Sequence, residues 1–461
     1  MCIKSKLLVC TLLYMFLSVQ IYAQTNREIS TPNIILIMAD DLGYGDTGAY
    51  NSNVNFTPNI DRLADEGMRF TDYHSNGPVC TPTRSALMTG MYQHRLGERI
   101  EGALSSKILE EGLPLQVITI AELLKDAGYK TGMFGKWHLG FEPPYIPTNY
   151  GFNEFKGHLS GDGDYHTHIN RWGLKDWWEN DSLKIEKGYN TDLITEYSLD
   201  FIDEHKEETF FLYIPYLAIH FPWQGLGDPP HRKAGETYGN DKWGVIERED
   251  NVRPHVESMI RSLDDGVGQI FDKINTLNLK EKTLIIFTSD NGGYTHYYQN
   301  NRKFEKISNN GPLRGQKTDV FEGGHRVPFI AYWPGKIEGG TETHEIVMTM
   351  DLFPTFSELA GVKLPDNYKI DGISILPTFL ENKMLPARIL YWKIGNRWAV
   401  RKGPWKLVKE NDDDKVSLYN LKNDIGEETD LSNNYPLIVK ELNYQYQIWK
   451  RHVLSDRNIW D

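Results

Sequence analysis

The sequence predicts an α/β protein: a doubly wound sheet with helices on both faces, followed by a smaller C-terminal antiparallel-sheet subdomain and a terminal helix. Three observations carry this. Short apolar runs each stop abruptly at polar residues, helical patterns alternate with those runs, and after about residue 372 closely spaced strand patterns take over. A chain of 461 residues has room for one large domain and a smaller one.

The runs Asn33–Ala39 and Thr283–Ser289 read as buried parallel strands, the first ending at Asp40-Asp41 and the second at Asp290-Asn291. Tyr129–Gly135 runs into Lys136-Trp137-His138, and Phe210–Tyr216 runs toward His220, so both read the same way. Helical patterns fall at Thr57–Glu66, Thr119–Ala127, Thr191–Glu204 and Arg253–Leu277. In an alternating sheet of this kind ligands gather at the carboxyl ends of the strands, where these polar residues would sit. Beyond residue 372, Ile389–Lys393, Trp398–Lys402, Trp405–Lys409 and Val416–Leu421 predict a small antiparallel sheet, and Pro436–His452 a helix. The expected division is residues 1–23, 24–372 and 373–461, with the last boundary lying somewhere in 365–386.

Residues 1–23 carry Lys4 and Lys6, then the apolar run Leu7–Leu17, and read as a signal peptide cut near Ala23. The run is short for the alternative, a membrane anchor, and polar residues follow at Gln24–Glu28. No later segment is apolar enough to span a bilayer, so the expectation is an exported protein, periplasmic or secreted. Cleavage would remove Cys2 and Cys10 and leave Cys80 alone. A single exported cysteine without a disulfide partner is either a chemically used side chain or a buried bystander. The formal charge of −13 argues against a nucleic-acid partner but leaves a small anionic group possible where local cations outweigh the field.

Around the cysteine the sequence is Gly77-Pro78-Val79-Cys80-Thr81-Pro82-Thr83-Arg84-Ser85, continuing to Thr89-Gly90. Thr81 suits an N-cap, Pro82 a first helical turn and Gly90 a stop, so a short helix is expected to start just after Cys80. That places Cys80 where amide donors and the helix dipole favour an anion, with Arg84 one turn away. Asp40, Asp41, Asp290 and Asn291 at two strand ends would make an all-oxygen site, which suits Ca²⁺ and poorly suits zinc. Either pair by itself also reads as a solvated turn or helix cap.

The run Cys80-Thr81-Pro82-Thr83-Arg84 and its extension closely resemble the signature of the type I sulfatases. The resemblance covers Pro32 to about Leu431 and is similar at several further motifs: Asp40-Asp41, Ser289-Asp290-Asn291-Gly292-Gly293, Gly135-Lys136-Trp137-His138-Leu139-Gly140, His220 and Lys317. It implies the alkaline-phosphatase-like fold, a large mixed and mainly parallel sheet between helices. It implies that a separate maturation enzyme converts Cys80 to Cα-formylglycine, and that one Ca²⁺ per chain is held by Asp40, Asp41, residue 80, Asp290 and Asn291. It also implies the chemistry: the aldehyde hydrates to a diol, one hydroxyl attacks sulfur, and the second expels sulfate. Arg84, Lys136, His138, His220 and Lys317 carry over as catalytic residues, with His220 as acid toward the leaving alcohol and His138 assisting at the diol. Phe321-Glu322-Gly323-Gly324-His325-Arg326 is also family-like; Arg326 reads as structural and His325 is left open.

For the alcohol half of the substrate the candidates are Asp164, His166, His168, Arg171 and Trp172 in one polar loop and His296 in another. Either loop also reads as an ordinary solvated turn. Export and twelve Trp point to a sulfated carbohydrate as substrate. The competing readings are a phosphodiesterase or phosphonate hydrolase of the same superfamily, and a non-catalytic sugar-binding relative.

Overall fold

The computed structural model describes residues 31–238, 251–299, 302–411 and 415–457; the expected signal peptide lies outside them. In chain order the strands are β1 (Asn33–Ala39), β2 (Met68–Phe70), β3 (Tyr73–His74), β4 (Lys130–Lys136), β5 (Glu154–His158), β6 (Trp178–Glu179), β7 (Ser182–Leu183), β8 (Phe210–Pro215) and β9 (Thr283–Ser289). They continue with β10 (His296–Gln299), β11 (Arg302–Glu305), β12 (Phe329–Tyr332), β13 (Thr341–Thr343), β14 (Val347–Met348), β15 (Ile389–Ile394), β16 (Arg397–Lys402), β17 (Trp405–Lys409) and β18 (Ser417–Asn420).

Ten of them form one sheet in the order β13-β2-β12-β9-β1-β8-β4-β5-β6-β7. Its centre, β9-β1-β8-β4-β5, is parallel throughout, whereas β12 and β6 pair antiparallel with their neighbours. The mixed, mainly parallel sheet expected from the sequence is therefore present. β1 explains why its centre was legible. Every residue of β1 is buried, with Ile34, Leu36 and Met38 in one core and Ile35, Ile37 and Ala39 in the other. Alternating side chains of one strand thus feed two layers, which demands an apolar residue at nearly every position.

The first core packs against the helices Cys80–Thr89, Ile120–Asp126 and Leu352–Leu359, and the second against Pro58–Glu66, Asn190–His205 and Arg253–Thr276. The helix at 120 is entered through a reciprocal cap. Thr119 Oγ1 accepts from Glu122 N at 3.2 Å, and Glu122 Oε2 accepts from Thr119 N at 2.8 Å. Leu376 and Phe379 of the Leu376–Glu381 helix also enter the first core, so the change of layer falls between that helix and β15.

β15 to β18 form the expected antiparallel sheet, covered by the helix Pro436–Ser455. Trp398 stacks on Tyr446 at 4.0 Å and Tyr391 on Trp449 at 4.7 Å. This third core includes Ala86, Phe321 and Met350, so the small sheet is packed onto the back of the Cys80 helix. Polar side chains reinforce the seam. Arg401 forks onto Asp72 at 2.7 and 2.6 Å, Lys406 Nζ reaches Glu322 at 2.8 Å and Glu427 at 2.9 Å, and His325 stacks on Trp392 at 4.1 Å. Arg326 lies 3.2 Å from Glu322 in the same cluster, consistent with its structural reading; His325 belongs there too.

Candidate active site

Four adjacent strands, β9-β1-β8-β4, deliver the polar residues to one edge of the sheet. Backbone pairing continues past the strand ends, Asp40 N donating to Ala218 O at 2.8 Å and Asp290 N to Ala39 O at 3.1 Å, so the two acidic pairs sit side by side. Lys136 closes β4. Gly135 before it has φ 133°, and a Cβ there would stand 2.1 Å from the Pro215 carbonyl oxygen, so only glycine lets β4 press this closely on β8. Asp41, His138 and Thr318 around the site all hold positive φ, 62°, 57° and 79°, conformations costly to L-residues and typical of positions fixed for function.

The Cys80 helix differs by a residue or two from the expectation. It starts at Cys80 itself with Val79 as N-cap, and Thr81 does not cap. Its hydroxyl instead donates to the His138 carbonyl and accepts from Leu104 N, both at 3.1 Å, tying the helix start to two neighbouring loops. Gly90, φ 71°, ends the helix as expected.

Cys80 Sγ lies 3.4 Å from Asp40 Oδ1, 3.4 Å from Lys136 Nζ and 3.6 Å from Lys317 Nζ. Burial and the neighbouring Asp40 push the thiol well up, so it is a neutral, poor nucleophile at ordinary pH. Arg84 does not touch the sulfur. Its Nε and Nη2 donate to Asp290 Oδ2 at 3.0 and 2.9 Å, Nη2 reaches Asp40 at 3.3 Å, and Nη1 donates to the Lys136 carbonyl at 2.7 Å. Lys136 Nζ is hydrogen-bonded to Asp40, and Lys317 Nζ stands 2.6 Å from Asp41 Oδ1. The site thus interleaves three carboxylates with three cations, all of them buried.

Those residues fit a hard cation. Asn291 donates through Nδ2 to Asp41 Oδ1 at 2.8 Å, while its Oδ1 is buried without any hydrogen-bond partner among the described residues. An orphaned amide oxygen beside three carboxylates is a free oxygen ligand for a hard cation, with Cys80 Sγ and His220 Nε2 close to Asp40 and Asp41 at the same place.

Both histidines have fixed tautomers. His138 Nε2 donates to the Leu104 carbonyl at 3.0 Å, leaving Nδ1 bare. His220 Nδ1 donates to the Phe221 carbonyl at 2.8 Å, leaving Nε2 facing Asp41 at 3.9 Å. Burial, with Lys136 beside His138 and Lys317 beside His220, drives both well toward the neutral form.

A cleft of about 290 Å³ opens above Cys80, bordered by Ser105, Arg171, Trp172, His220, Tyr294 and Lys317. Of the residues expected to contact the alcohol, Arg171 and Trp172 line it. Asp164 and His168 do not. Asp164 is spent on the loop itself, accepting from the amides of His166, Thr167, His231 and Arg232 at 2.8–3.0 Å, and His168 is buried against Trp177 at 4.2 Å. His166 packs on Tyr189, and His296 borders a separate shallow cleft with Lys303 and Asn309. Residues not singled out from the sequence also matter. Leu104 and Ser105 carry no motif, and Asp162 and Arg232 meet only in the folded loop, Arg232 Nη2 donating to Asp162 at 3.0 Å.

This geometry agrees with what the chain is similar to. The Sulfatase family profile matches residues 32–362, and a profile described as N-sulphoglucosamine sulphohydrolase, C-terminal, matches residues 316–451. N-acetylgalactosamine-6-sulfatase of Mus musculus is 34% identical over 397 residues, 81% of this chain and 71% of that protein. Arylsulfatase A of Homo sapiens is 34% identical over 408 residues, 81% of this chain and 74% of that one. Among solved structures, Ps i-CgsB in complex with k-i-k-neocarrahexaose superimposes with a TM-score of 0.79 at 31% identity, covering 91% of this chain and 93% of that one. With a matched profile spanning most of the chain and a cysteine set among three acids and three cations at the strand ends, the protein belongs to the sulfatase family and is a sulfuric ester hydrolase of the alkaline-phosphatase-like fold.

Proposed function

We propose that this sulfatase acts on sulfated carbohydrates outside the cytoplasm, using a formylglycine made from Cys80 and a calcium ion held by Asp40, Asp41, Asp290, Asn291 and residue 80. The observation that carries the reading is the placing of Cys80 at a helix N-terminus, its sulfur within 3.6 Å of Asp40, Lys136 and Lys317. The thiol sulfur stands where one oxygen of a hydrated aldehyde would stand. The names of the relatives support a sugar substrate, since one is an N-acetylgalactosamine-6-sulfatase and another was solved with a neocarrahexaose. The cleft supports it as well, since aromatic side chains, Trp172 and Tyr294, stand among the polar residues that line it.

The modified residue would supply a hydroxyl nucleophile together with a second hydroxyl through which sulfate leaves. The calcium ion would supply Lewis acidity toward the nucleophile and the sulfate oxygens. The remaining work falls to the side chains. Lys136 and Lys317 hold sulfate oxygens and counter the charge that grows in the transition state. Arg84 acts through Asp40 and Asp290, fixing the two carboxylates that face residue 80. His138 offers the bare Nδ1 as a proton acceptor. His220 presents Nε2 toward the leaving oxygen; the negative charge of a bound sulfate ester beside it favours the protonated ring that an acid needs. Export follows from the reading of residues 1–23 as a signal peptide, and among the described residues no helix is long and apolar enough to cross a membrane.

The test is the mass of the tryptic peptide Phe70–Arg84 from active protein made in its native host, paired with sulfate release from a panel of sulfated oligosaccharides. An aldehyde or its hydrate at residue 80 is expected. A wholly intact thiol in active protein would overturn the mechanism, and cleavage of aryl sulfates with no release from any oligosaccharide would overturn the substrate class.

A further inference from the structure

We propose that Arg171 is a specificity-determining residue that grips a second anionic group of the substrate, a sulfate ester or carboxylate on the same sugar chain as the scissile sulfate. The inference rests on the carbohydrate reading and extends it from one anionic group to two.

Two guanidiniums converge on one carboxylate oxygen. Asp162 is buried and uses a single oxygen, Oδ2, to accept from two guanidiniums, Arg171 Nε and Arg232 Nη2, each at 3.0 Å. Burial alone would raise the Asp162 carboxyl; Arg232 and Arg171 together hold it below the ordinary range, so it is ionised and neutralises one of them. Exposure separates the two arginines: Arg232 keeps 1% of its side chain accessible and Arg171 keeps 27%. Arg171 therefore faces the cleft with Nη1 and Nη2 carrying no hydrogen-bond partner among the described residues, while Nε is tied behind it.

The side chain is also fixed in place. Its guanidinium lies 5.2 Å from the centre of the Phe221 ring, and its backbone carbonyl accepts from Tyr238 N at 2.8 Å. A planar fork held at one corner with two outward N–H edges is the arrangement that takes a sulfate or carboxylate with paired, charge-assisted hydrogen bonds. A second cation, Lys107, stands beside the cleft residue Trp172, its Nζ 3.9 Å over the ring. On a chain of net charge −13, a cation in the cleft and a second one over its neighbouring indole favour an anionic ligand there. None of these groups touches Cys80, although the Arg171 charge helps hold His220 neutral, so selection is read from the difference between substrates.

The experiment compares kcat/KM of the matured wild type with R171A, R171Q and R171K. The substrates are 4-nitrophenyl sulfate, a neutral monosulfated disaccharide, a disulfated disaccharide and a monosulfated disaccharide bearing a uronic acid. R171A and R171Q are expected to lose about 30-fold or more on whichever doubly anionic substrate is native, chiefly through KM. Losses on the two singly charged substrates should be smaller by about tenfold or more, and R171K should recover part of the difference. The two doubly anionic substrates separate sulfate from carboxylate as the partner. Equal losses on all four substrates, or none on either doubly anionic one, would overturn the proposal. A measurement on the wild type guards against misfolded variants: KM for the doubly anionic substrate must climb more steeply with NaCl than KM for the neutral disaccharide, and parallel salt dependences would overturn it. If the wild type cleaves aryl sulfates but no oligosaccharide, the carbohydrate reading fails by itself. The Arg171 comparison then runs on a carboxylated aryl sulfate against 4-nitrophenyl sulfate, with the same two outcomes.

Discussion

Glu427 joins the small C-terminal sheet to the catalytic layer and makes the fold sensitive to pH. It is fully buried, its Oε2 accepts from Glu322 N at 2.7 Å, and Lys406 Nζ lies 2.9 Å from its other oxygen while also reaching Glu322. Burial, with the Glu322 charge added and Lys406 opposing, pushes Glu427 from 4.5 up to about 7. Glu322 goes the other way: against its own burial, Lys406, His74 and Arg401 keep it ionised. The folded protein therefore binds a proton at Glu427 more tightly than the unfolded chain does. That contribution to stability is complete below about pH 4.5 and is lost as pH rises through about 7. A rise of this size corresponds to about 3 kcal/mol. E427Q keeps an oxygen for the Glu322 amide and removes the titration. Urea unfolding followed by tryptophan fluorescence at pH 5, 6, 7 and 8 reads the difference between the two proteins, in which other titrating groups cancel. The wild type should lose about 2.5 kcal/mol relative to E427Q between pH 5 and pH 8, part of the contribution being gone already at pH 5. Parallel pH dependences would refute the reasoning.

Two further predictions concern the site. H220N should lower kcat on a sugar sulfate by about 10²–10⁴ and on 4-nitrophenyl sulfate, whose leaving group needs no proton, by less than about tenfold; equal losses on both would remove the acid role. N291A deletes the orphaned Oδ1 and should weaken calcium binding on the order of 10–100-fold, read by titrating calcium into chelator-stripped protein, and unchanged affinity would take Asn291 out of the ligand set.

How much of this was legible in the sequence depended on what each residue had to satisfy. β1, β8 and β9 are buried on both faces, so their runs are apolar throughout and end where the sheet edge allows charge. The strands β2, β3, β13 and β14 span two or three residues each, too few for any period to register. Asp164 and His168 illustrate the other limit. A polar loop needs carboxylates and imidazoles to satisfy its own turns, and Asp164 meets that need through the backbone amides of residues as distant as His231 and Arg232. Composition cannot separate those residues from the ones that reach a ligand; Arg171 and Trp172 came from the same stretch and do face the cleft. Likewise Thr81 has the chemistry of an N-cap, but its hydroxyl is claimed by Leu104 and His138 from other segments.

The charge count of the site explains why so many ions can be buried together. Asp40, Asp41 and Asp290 balance Arg84, Lys136 and Lys317, so the protein groups sum to zero, and each charge has an opposite partner at close range. Without that pairing, desolvation of each ion would cost several kcal/mol. A bound divalent cation would raise the pocket to an excess of two positive charges, which a sulfate monoester and one ionised hydroxyl on a formylglycine at residue 80 would together neutralise. Either anion alone would leave the site half compensated, so the electrostatics would favour having both present. Burial holds the two histidines neutral and outside this count until the negative charge of a bound ester favours a proton, and with it a positive charge, on His220. Arg171 lies outside it as well. Its Nη1 and Nη2 edges face the cleft without a hydrogen-bond partner among the described residues, so it falls to the rest of the substrate to fill them.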